Sequence, residues 1–316
     1  MLIFYRKNLN FFSILIDLFW DIADTGDSFF ISENTGIYRK DLDTDSPTLF
    51  CEIESNGGCF GRQLKSAMHG RALVINMRMD SIRVLELDPE NKFIPKKDLI
   101  VYRFYNSDNQ EAQTKENEIL DFVVMGADQD IVTFMTSKGV IKSYQFSFED
   151  ETSKCVAEVN LKHMRQRKEM YLSLNVCSES EYLTILTRND ITKQASRVMV
   201  LNFTGEKKLV LKTCIDIQNQ QLDYLCTSGF VDYYDHIEGD KRFLVLATFT
   251  KKDGDGCYLV SFAYDTVDNR LFELRGLRRY LKADTPQKLS RVGGMGNTFC
   301  ASDLAGRVFW ISYAMS

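Results

Sequence analysis

The chain has 316 residues, of which 44% are hydrophobic and 26% are charged, a composition typical of a globular protein. Its formal net charge at pH 7 is −5, whereas domains that bind nucleic acid usually carry an excess of positive charge. This balance argues against direct contact with a nucleic acid as the default mode of binding.

The first predicted elements lie in two apolar runs, residues 1–7 and 11–20. They do not have the organisation of a secretory signal, because Asn8 and Asn10 separate them, Asp17 interrupts the second, and no small-residue cleavage site follows. Neither reaches the ~18–20 apolar residues of a membrane span, so no membrane association is expected. Both runs are interpreted as β-strands, with an amphipathic helix over residues 11–20 as the alternative.

Six hairpin patterns follow in chain order. Each consists of an apolar run, a short polar or glycine-containing turn and a second apolar run, and β-branched and aromatic residues dominate the runs, as they do in strands. Such a pattern, repeated every ~45–60 residues, is typical of a radial array of β-sheets. The six hairpins span residues 28–38, 72–85, 131–141, 182–200, 243–260 and 298–311.

Four strands are predicted in each of the first five units. In the third unit they are separated by residues 126–129, 136–138 and 149–154, which tolerate turn geometry. The strands predicted in the five units are 12–22, 29–32, 37–41 and 48–53; 63–68, 72–77, 82–87 and 99–105; 119–124, 130–135, 139–148 and 155–161; 171–177, 182–187, 196–203 and 209–215; and 229–234, 242–249, 257–264 and 270–280.

The last unit is one strand short, with strand patterns only at residues 289–292, 298–300 and 307–313. Residues 2–7 form a predicted strand without a unit of its own. A ring of sheets closes well when one sheet combines strands from both termini. The sequence therefore predicts a six-bladed β-propeller, a single all-β domain over residues 1–316, whose last blade is closed by the N-terminal strand. A seven-bladed propeller and paired β-sandwiches are the alternative folds.

Two segments resemble a known repeat family. Residues 18–38 have the order strand, Asp/Gly turn, apolar strand, polar-Gly turn and apolar strand, and residues 301–310 end a third strand on Trp310. This order is similar to that of the WD40-repeat family, which implies a β-propeller. No Gly-His opens a repeat and no Trp-Asp closes a hairpin, and Asp88 and Asp265 are the nearest substitutes. The family's buried Asp-His-Ser/Thr-Trp network is therefore not assigned to residues of this chain.

Cysteine and histidine usage indicates no metal site. The cysteines include no C-x-x-C pair and most lie in apolar runs, so we interpret them as small core side chains in a reducing compartment. This predicts an intracellular protein, cytoplasmic or nuclear. No histidine has a second histidine at ligand spacing, and neither a metal nor a cofactor is predicted. The cysteines are Cys51, Cys59, Cys155, Cys177, Cys214, Cys226, Cys257 and Cys300.

Glycine-rich and basic segments are interpreted as loops. Residues 57–61 and 293–296 open no helix that could bind a phosphate, and residues 253–256 lack the oxygen ligands of a calcium loop. The basic clusters 163–168 and 275–279 are interpreted as solvated loops or edge strands, with contact to a phosphate or an acidic partner as the alternative. No nucleophile elbow occurs, and no catalytic residue is predicted.

The sequence predicts a non-catalytic scaffold for protein–protein interaction, a subunit of a larger assembly rather than an enzyme. A rigid ring that presents many loops on one face suits this role. A metal-dependent propeller hydrolase and a nucleic-acid-binding subunit of a ribonucleoprotein are the alternative functions. The turns between the second and third strands of the units are predicted to bind the protein partner, and they include Asn34, Arg78, Asp80, Lys138, Arg188, Asp190, Lys251, Asp253 and Asp303.

Overall fold

A computed structural model of the chain consists of β-strands and, in its described part, two single-turn 3-10 helices, Met68–Gly70 and Lys162–Met164. No helix among the described residues is long and apolar enough to cross a membrane. The structure describes residues 2–5, 21–24, 28–32, 36–41, 46–52, 63–77, 81–88, 90, 94–103, 118–176, 182–189, 191, 195–204, 208–216, 226–236, 240–250, 257–265, 267–273, 279–281, 286–291, 298–303 and 308–313.

The chain divides into two compact units. The 161–316 unit comprises Leu161–Ser316 together with Met1–Ser13, and the 14–160 unit comprises Ile14–Asn160. Within the described residues each unit contains three antiparallel sheets, and strands adjacent in the sequence are almost always adjacent in the sheet. Short polar turns favour this arrangement, because a tight turn can join only antiparallel neighbours.

The described strands of the 14–160 unit form three four-stranded sheets. In sheet order, the first contains β2 (Asp21–Asp24), β3 (Ser28–Ser32), β4 (Gly36–Asp41) and β5 (Thr48–Glu52); the second contains β6 (Gln63–Ala67), β7 (Ala72–Asn76), β8 (Ser81–Leu87) and β9 (Pro95–Arg103); and the third contains β10 (Ile119–Met125), β11 (Ile131–Thr136), β12 (Val140–Ser147) and β13 (Thr152–Asn160).

The 161–316 unit contains two four-stranded sheets and one five-stranded sheet among its described strands. In sheet order, these contain β14 (Glu169–Val176), β15 (Tyr182–Asn189), β16 (Ala195–Phe203) and β17 (Leu209–Asp216); β18 (Cys226–His236), β19 (Asp240–Thr250), β20 (Cys257–Asp265) and β21 (Arg270–Glu273), with β22 (Arg279–Leu281) also paired to β20; and β1 (Leu2–Tyr5), β25 (Val308–Tyr313), β24 (Thr298–Asp303) and β23 (Pro286–Arg291).

The N-terminal strand β1 pairs with β25, which lies at the other end of the sequence. The pairing is antiparallel, with Leu2 opposite Tyr313 and Tyr5 opposite Trp310. The sequence predicted that the N-terminal strand would complete the last sheet, and this pairing is present.

The β11–β12 hairpin illustrates how the sequence specifies its turns. Gly139 has a φ of +80°, a left-handed conformation that glycine adopts without a steric penalty. Its N–H donates to the carbonyl oxygen of Thr136 at 2.9 Å, and the Thr136 hydroxyl accepts the N–H of Val140 at 3.2 Å. The predicted turn at residues 136–138 is therefore present, with the glycine immediately after it.

The core of the 14–160 unit forms around central strands that are buried on both faces. Every residue of β7 and of β11 is buried, which explains why their apolar residues do not alternate with exposed polar ones. The aromatic rings of Tyr102 and Phe134 pack with their centroids 4.7 Å apart, so side chains of the second and third sheets share one apolar cluster.

Gly36 marks a close approach between two strands of the first sheet. A Cβ atom at this position would lie 2.5 Å from the carbonyl oxygen of Cys51, a distance that van der Waals repulsion forbids. Only glycine therefore allows β4 and β5 to pair closely at this point.

Three strand predictions require comment. The strand predicted at 12–22 is β2, which begins at Asp21 and runs past the predicted end to Asp24, and residues 12–20 lie outside the described residues. The strand predicted at 99–105 is β9, which begins at Pro95 and has alternating exposed charged residues such as Lys96 and Asp98. Those charges hid the strand pattern, although an outer strand accommodates them well and proline is tolerated at its first residue. The strand predicted at 270–280 is instead two short strands, β21 and β22, and the sequence between them contains Gly276, which disfavours a continuous strand.

Of the three cysteines whose side chains the structure describes, Cys51 packs against a buried apolar cluster, as predicted, whereas the prediction of a core side chain is wrong for the exposed Cys155. Cys51 and Cys214 are half-buried, and Cys155 is exposed on β13. Cys155 lies on β13, the last strand of its sheet, on which exposed side chains predominate. The three are free thiols.

Candidate functional site

The predicted partner-binding face lies mostly outside the described residues. Lys138, one of the predicted residues that the structure describes, lies in the β11–β12 turn, as predicted. Its side chain is half-buried. The predicted residues outside the described part of the chain are Asn34, Arg78, Asp80, Asp190, Lys251 and Asp253.

Arg188 and Asp303 were predicted in turns, and the structure instead places both at the ends of strands. Arg188 lies in β15 opposite Ala195 of β16, and Asp303 is the last residue of β24, opposite Pro286. In both cases strand pairing continues past the predicted end of the strand, which was residue 187 in β15 and residue 300 in β24. The Nε atom of Arg188 is buried and has no hydrogen-bond partner among the described residues.

Arg188 lies at the same end of its sheet as a strongly basic segment. In the antiparallel pairing of β14 with β15, Glu169 lies opposite Asn189 and Met170 opposite Arg188. The segment that leads into β14 therefore meets the sheet where β15 ends and β16 begins. We call residues 162–168 the basic loop. It contains the whole of the basic cluster that the sequence indicated at residues 163–168, with Lys162 added.

Every residue of the basic loop is exposed. The loop begins with the 3-10 helix Lys162–Met164 and ends in a turn at Arg167 and Lys168. Five of its seven residues are basic in type, and none is acidic: the basic residues are Lys162, His163, Arg165, Arg167 and Lys168.

A buried ion pair lies directly behind this loop. The Arg197 guanidinium donates from Nε to Oε1 of Glu169 at 2.7 Å and from Nη2 to Oε2 of the same carboxylate. Thr187 donates its hydroxyl to Oε1 of Glu169 at 2.5 Å and accepts the backbone N–H of Arg197 at 3.0 Å. The side chains of Arg197 and Glu169 are only 7% and 2% exposed. Strands β14, β15 and β16 thus each contribute one member of a closed network.

The same two charged groups also bind the backbone of the basic loop. Nη2 of Arg197 donates to the carbonyl oxygen of Met164 at 2.6 Å, and Oε2 of Glu169 accepts the N–H of Gln166 at 2.8 Å. A buried pair that satisfies backbone groups in this way fixes the path of the loop.

Three further contacts fix the two ends of the loop. The hydroxyl of buried Tyr171 donates to the carbonyl oxygen of Leu161 at 3.0 Å. The N–H of Glu169 closes a turn on the carbonyl oxygen of Gln166 at 3.1 Å, and Nε of Arg165 donates to the carbonyl oxygen of Glu169. Lys168 has a φ of +64° in this turn, a left-handed conformation that costs a non-glycine residue about 1 kcal/mol.

The electrostatics of the network keep it charged at neutral pH. Burial opposes ionisation of Glu169, but hydrogen bonds from Arg197, from the Thr187 hydroxyl and from the Gln166 N–H outweigh burial and hold its pKa below the usual range. The hydrogen bond to the Glu169 carboxylate raises the pKa of Arg197. Burial raises the pKa of Tyr171 to about 12, so that its hydroxyl stays a donor. A carboxylate saturated by donors is a poor base, so the pair acts as a positioning device.

The two aspartates that the WD40 resemblance singled out act as turn acceptors. Oδ1 of Asp265, which is buried at the end of β20, accepts the N–H groups of Val267 and Asp268 at 2.9 and 3.1 Å. Oδ1 of Asp88 accepts the N–H of Glu90 at 2.9 Å in the same way. Both side chains thus close local Asx-type turns at strand ends.

No group of three or more His, Cys, Asp or Glu side chains in the described part of the chain has the geometry to hold a metal ion. The glycine-rich segments 57–61, 253–256 and 293–296 lie outside the described residues.

No protein-family model matches the chain, and no curated protein matches its sequence. Its fold does match solved structures. The β-propeller domain of Cps50 (Swd1) from Myceliophteria thermophila has a TM-score of 0.57 and 10% identity, covering 94% of this chain and 84% of that chain. The β-propeller domain of Nup133 from Vanderwaltozyma polyspora has a TM-score of 0.55 and 10% identity, covering 95% and 94%. The periplasmic gluconolactonase PpgL of Pseudomonas aeruginosa has a TM-score of 0.56 and 14% identity, covering 94% and 84%.

These similarities show that the chain has a β-propeller fold, in agreement with its antiparallel, mostly four-stranded sheets. At 10–14% identity they show the fold alone. They also overturn the prediction that the chain is not an enzyme. That prediction rested on missing sequence motifs, yet PpgL is a gluconolactonase with a similar fold, so the architecture is compatible with catalysis.

Proposed function

We propose that this chain is a six-bladed β-propeller, closed by its N-terminal strand, and that it acts as a protein-interaction subunit of a larger assembly. Each of the six sheets in the described residues would be one blade. The pairing of β1 with β25 supports this arrangement, because one sheet then contains strands from both ends of the sequence. The resemblance of residues 18–38 to WD40 repeats supports it too, since β2, β3 and β4 follow the expected order of strands.

The observation that carries the interaction role is the way buried polar groups hold the basic loop. The Glu169–Arg197 pair and Tyr171 all bind backbone groups of the segment 161–169, and every residue from 162 to 168 is exposed. A loop that is fixed on a rigid sheet and exposes its side chains is a common form of recognition surface.

An intracellular location is part of the same proposal. The described cysteines Cys51, Cys155 and Cys214 are free thiols, and Cys155 is exposed. Free, exposed thiols are characteristic of proteins kept in a reducing compartment.

Native size-exclusion chromatography with quantitative mass spectrometry tests the interaction role. The tagged full-length chain is isolated from the cells that naturally produce it, and an untagged culture serves as the control. The proposal expects a stable complex in which at least one other protein co-elutes at a fixed stoichiometry. Elution of the folded chain alone, at its natural concentration, would refute it.

A further inference from the structure

The β14–β17 sheet combines positive charge with exposed apolar side chains at the end where the basic loop lies. Met164, within the loop, is 41% exposed, and Ile191, just after the end of β15, is 61% exposed. Asn189 lies opposite Glu169 in the sheet, and its Oδ1 accepts the N–H of Ile191 at 2.9 Å, so Ile191 is fixed close to this end. One apolar side chain, Met164, therefore lies within the cationic loop, and a second, Ile191, lies at the same end of the sheet.

Three basic side chains of the basic loop have no partner among the described residues. The side chains of His163, Arg167 and Lys168 form no hydrogen bond or ion pair with any residue of the described part, and Nε of Arg188 is a buried donor without an acceptor there. Glu169, the carboxylate that binds the backbone of the loop, is already bound to Arg197. In the 14–160 unit, by contrast, lysines pair with carboxylates: Lys96 with Glu86 at 3.3 Å, Lys97 with Glu151 at 3.1 Å and Lys142 with Glu158 at 3.2 Å.

The backbone of this surface is organised before any partner arrives. Arg197, Glu169 and Tyr171 bind its carbonyl and N–H groups, so a partner does not have to order the main chain of the loop. Preorganisation of this kind removes part of the entropic cost of binding.

The chemistry of the surface favours an acidic peptide over a nucleic acid. The chain as a whole has a net charge of −5, which repels a long polyanion. Met164 and Ile191 can bury apolar side chains, which a phosphate backbone does not offer. A peptide with carboxylates and a few apolar residues would match both properties.

We infer that the basic loop, together with Arg188, Met164 and Ile191, is a docking surface for an acidic segment of a protein partner that also carries apolar side chains. This inference rests on the proposed function and names the chemistry of the partner. Arg188 was already in the predicted partner-binding set, and the structure joins it to a second set of cations.

Fluorescence anisotropy with two labelled probes tests the inference. One probe is a short peptide of Glu and Asp with interspersed Leu and Phe, and the other is a single-stranded RNA of equal net charge, both at ~0.15 M salt. The full chain is compared with Arg167→Glu/Lys168→Glu. The matched control is Lys154→Glu/Lys212→Glu, which makes the same change in charge at exposed positions on the outer strands β13 and β17.

The inference expects the natural chain to bind the peptide more tightly than the RNA. The loop variant should bind the peptide roughly tenfold or more weakly, and the control variant should bind it as the natural chain does. Tighter binding of the RNA, absence of peptide binding, or equal losses in both variants would overturn the inference. Arg167→Gln/Lys168→Gln, which removes charge without reversing it, should give an intermediate loss, and melting curves verify that each variant is folded.

The same variants separate this inference from the proposed function. If Arg167→Glu/Lys168→Glu still co-elutes with the natural assembly at full stoichiometry, the chain is an interaction subunit that uses another surface. If the natural chain forms no assembly at all, the proposed function itself fails.

Discussion

Removal of the Glu169 carboxylate should destabilise the chain strongly and release the basic loop. In Glu169→Ala, the Arg197 guanidinium stays buried, with its side chain 7% exposed, but loses both carboxylate contacts. In the same step the N–H of Gln166 loses its acceptor, and the Thr187 hydroxyl keeps only the carbonyl oxygen of Arg197, at 3.4 Å.

The expected loss in the free energy of unfolding is about 3–5 kcal/mol, the usual effect of leaving one member of a buried ion pair without its partner. Glu169→Gln should cost less, about 1.5–3 kcal/mol, because the amide oxygen can still accept one of these bonds. The double variant Glu169→Leu/Arg197→Leu should be more stable than Glu169→Ala, since it removes both charges together.

The pH dependence of this loss follows from the lowered pKa of Glu169. A carboxyl group whose folded pKa lies below its unfolded pKa, roughly 4.3, stabilises the folded state fully above that unfolded value. This contribution disappears as the pH falls through the folded pKa. The difference in stability between the natural chain and Glu169→Gln should therefore be constant near neutrality and shrink below about pH 4.

Limited trypsin digestion measures the local effect. Cleavage after Arg165, Arg167 or Lys168 requires the basic loop to open, and Glu169 and Arg197 oppose this opening through Gln166 and Met164. If about 3 kcal/mol of the loss acts on loop opening, cleavage there accelerates about 100-fold, whereas cleavage after Lys154 in the other unit does not change. A loss below about 1 kcal/mol in Glu169→Ala, together with unchanged cleavage after Arg167, would refute the role given to the ion pair.

Three further predictions concern other parts of the chain. Deletion of residues 1–8 removes β1 and leaves an unpaired edge on β25; thermal unfolding should become less cooperative or end in aggregation, and an unchanged melting curve would contradict the proposed closure. The apolar residues 308–311 predict a core position for Trp310, so Trp310→Ala should reduce the free energy of unfolding by about 3–5 kcal/mol without selective loss of binding. A stable variant that binds no partner would instead identify Trp310 as a recognition residue. Thr133→Val should lower the free energy of unfolding by about 1–3 kcal/mol in denaturant titrations, because the Thr133 hydroxyl lies 2.7 Å from that of buried Ser143. The double variant Thr133→Val/Ser143→Ala should be more stable than Thr133→Val, since neither hydroxyl is then left unpaired; a double variant as destabilised as the sum of the two single variants would argue against this hydrogen bond.

The strands could be predicted from the sequence because their signals are local. The apolar runs of β11 and β16 and the glycine after Lys138 indicate strand and turn without reference to the rest of the chain. Prediction failed where a local signal was weak. The charges of β9 hid its first residues, and the apolar neighbours of Cys155 gave no indication that β13 has an open edge.

The candidate site could be predicted only in part, because it depends on pairing. The cluster 163–168 is visible as a basic run, and Arg188 as a charged residue beside a turn. Their shared location follows from the register of β14 with β15, which no spacing in the sequence encodes. The Glu169–Arg197 pair spans 28 residues and has no motif. Its one local signal is that Arg197 directly precedes four buried apolar residues, 198–201, where a charge needs a partner.

Disulfide trapping between β1 and β25 tests the propeller closure most directly. Ile3 and Ser312 are opposite each other in the register, within the Cα separation that a disulfide allows. Phe309 lies on the same strand, three residues before Ser312 and therefore about 10 Å from it along β25, and provides the control position. The account predicts that mild oxidation of Ile3→Cys/Ser312→Cys gives the cross-linked peptide in mass spectra, while Ile3→Cys/Phe309→Cys does not. Equal cross-linking in both pairs, or none in the first, would contradict it.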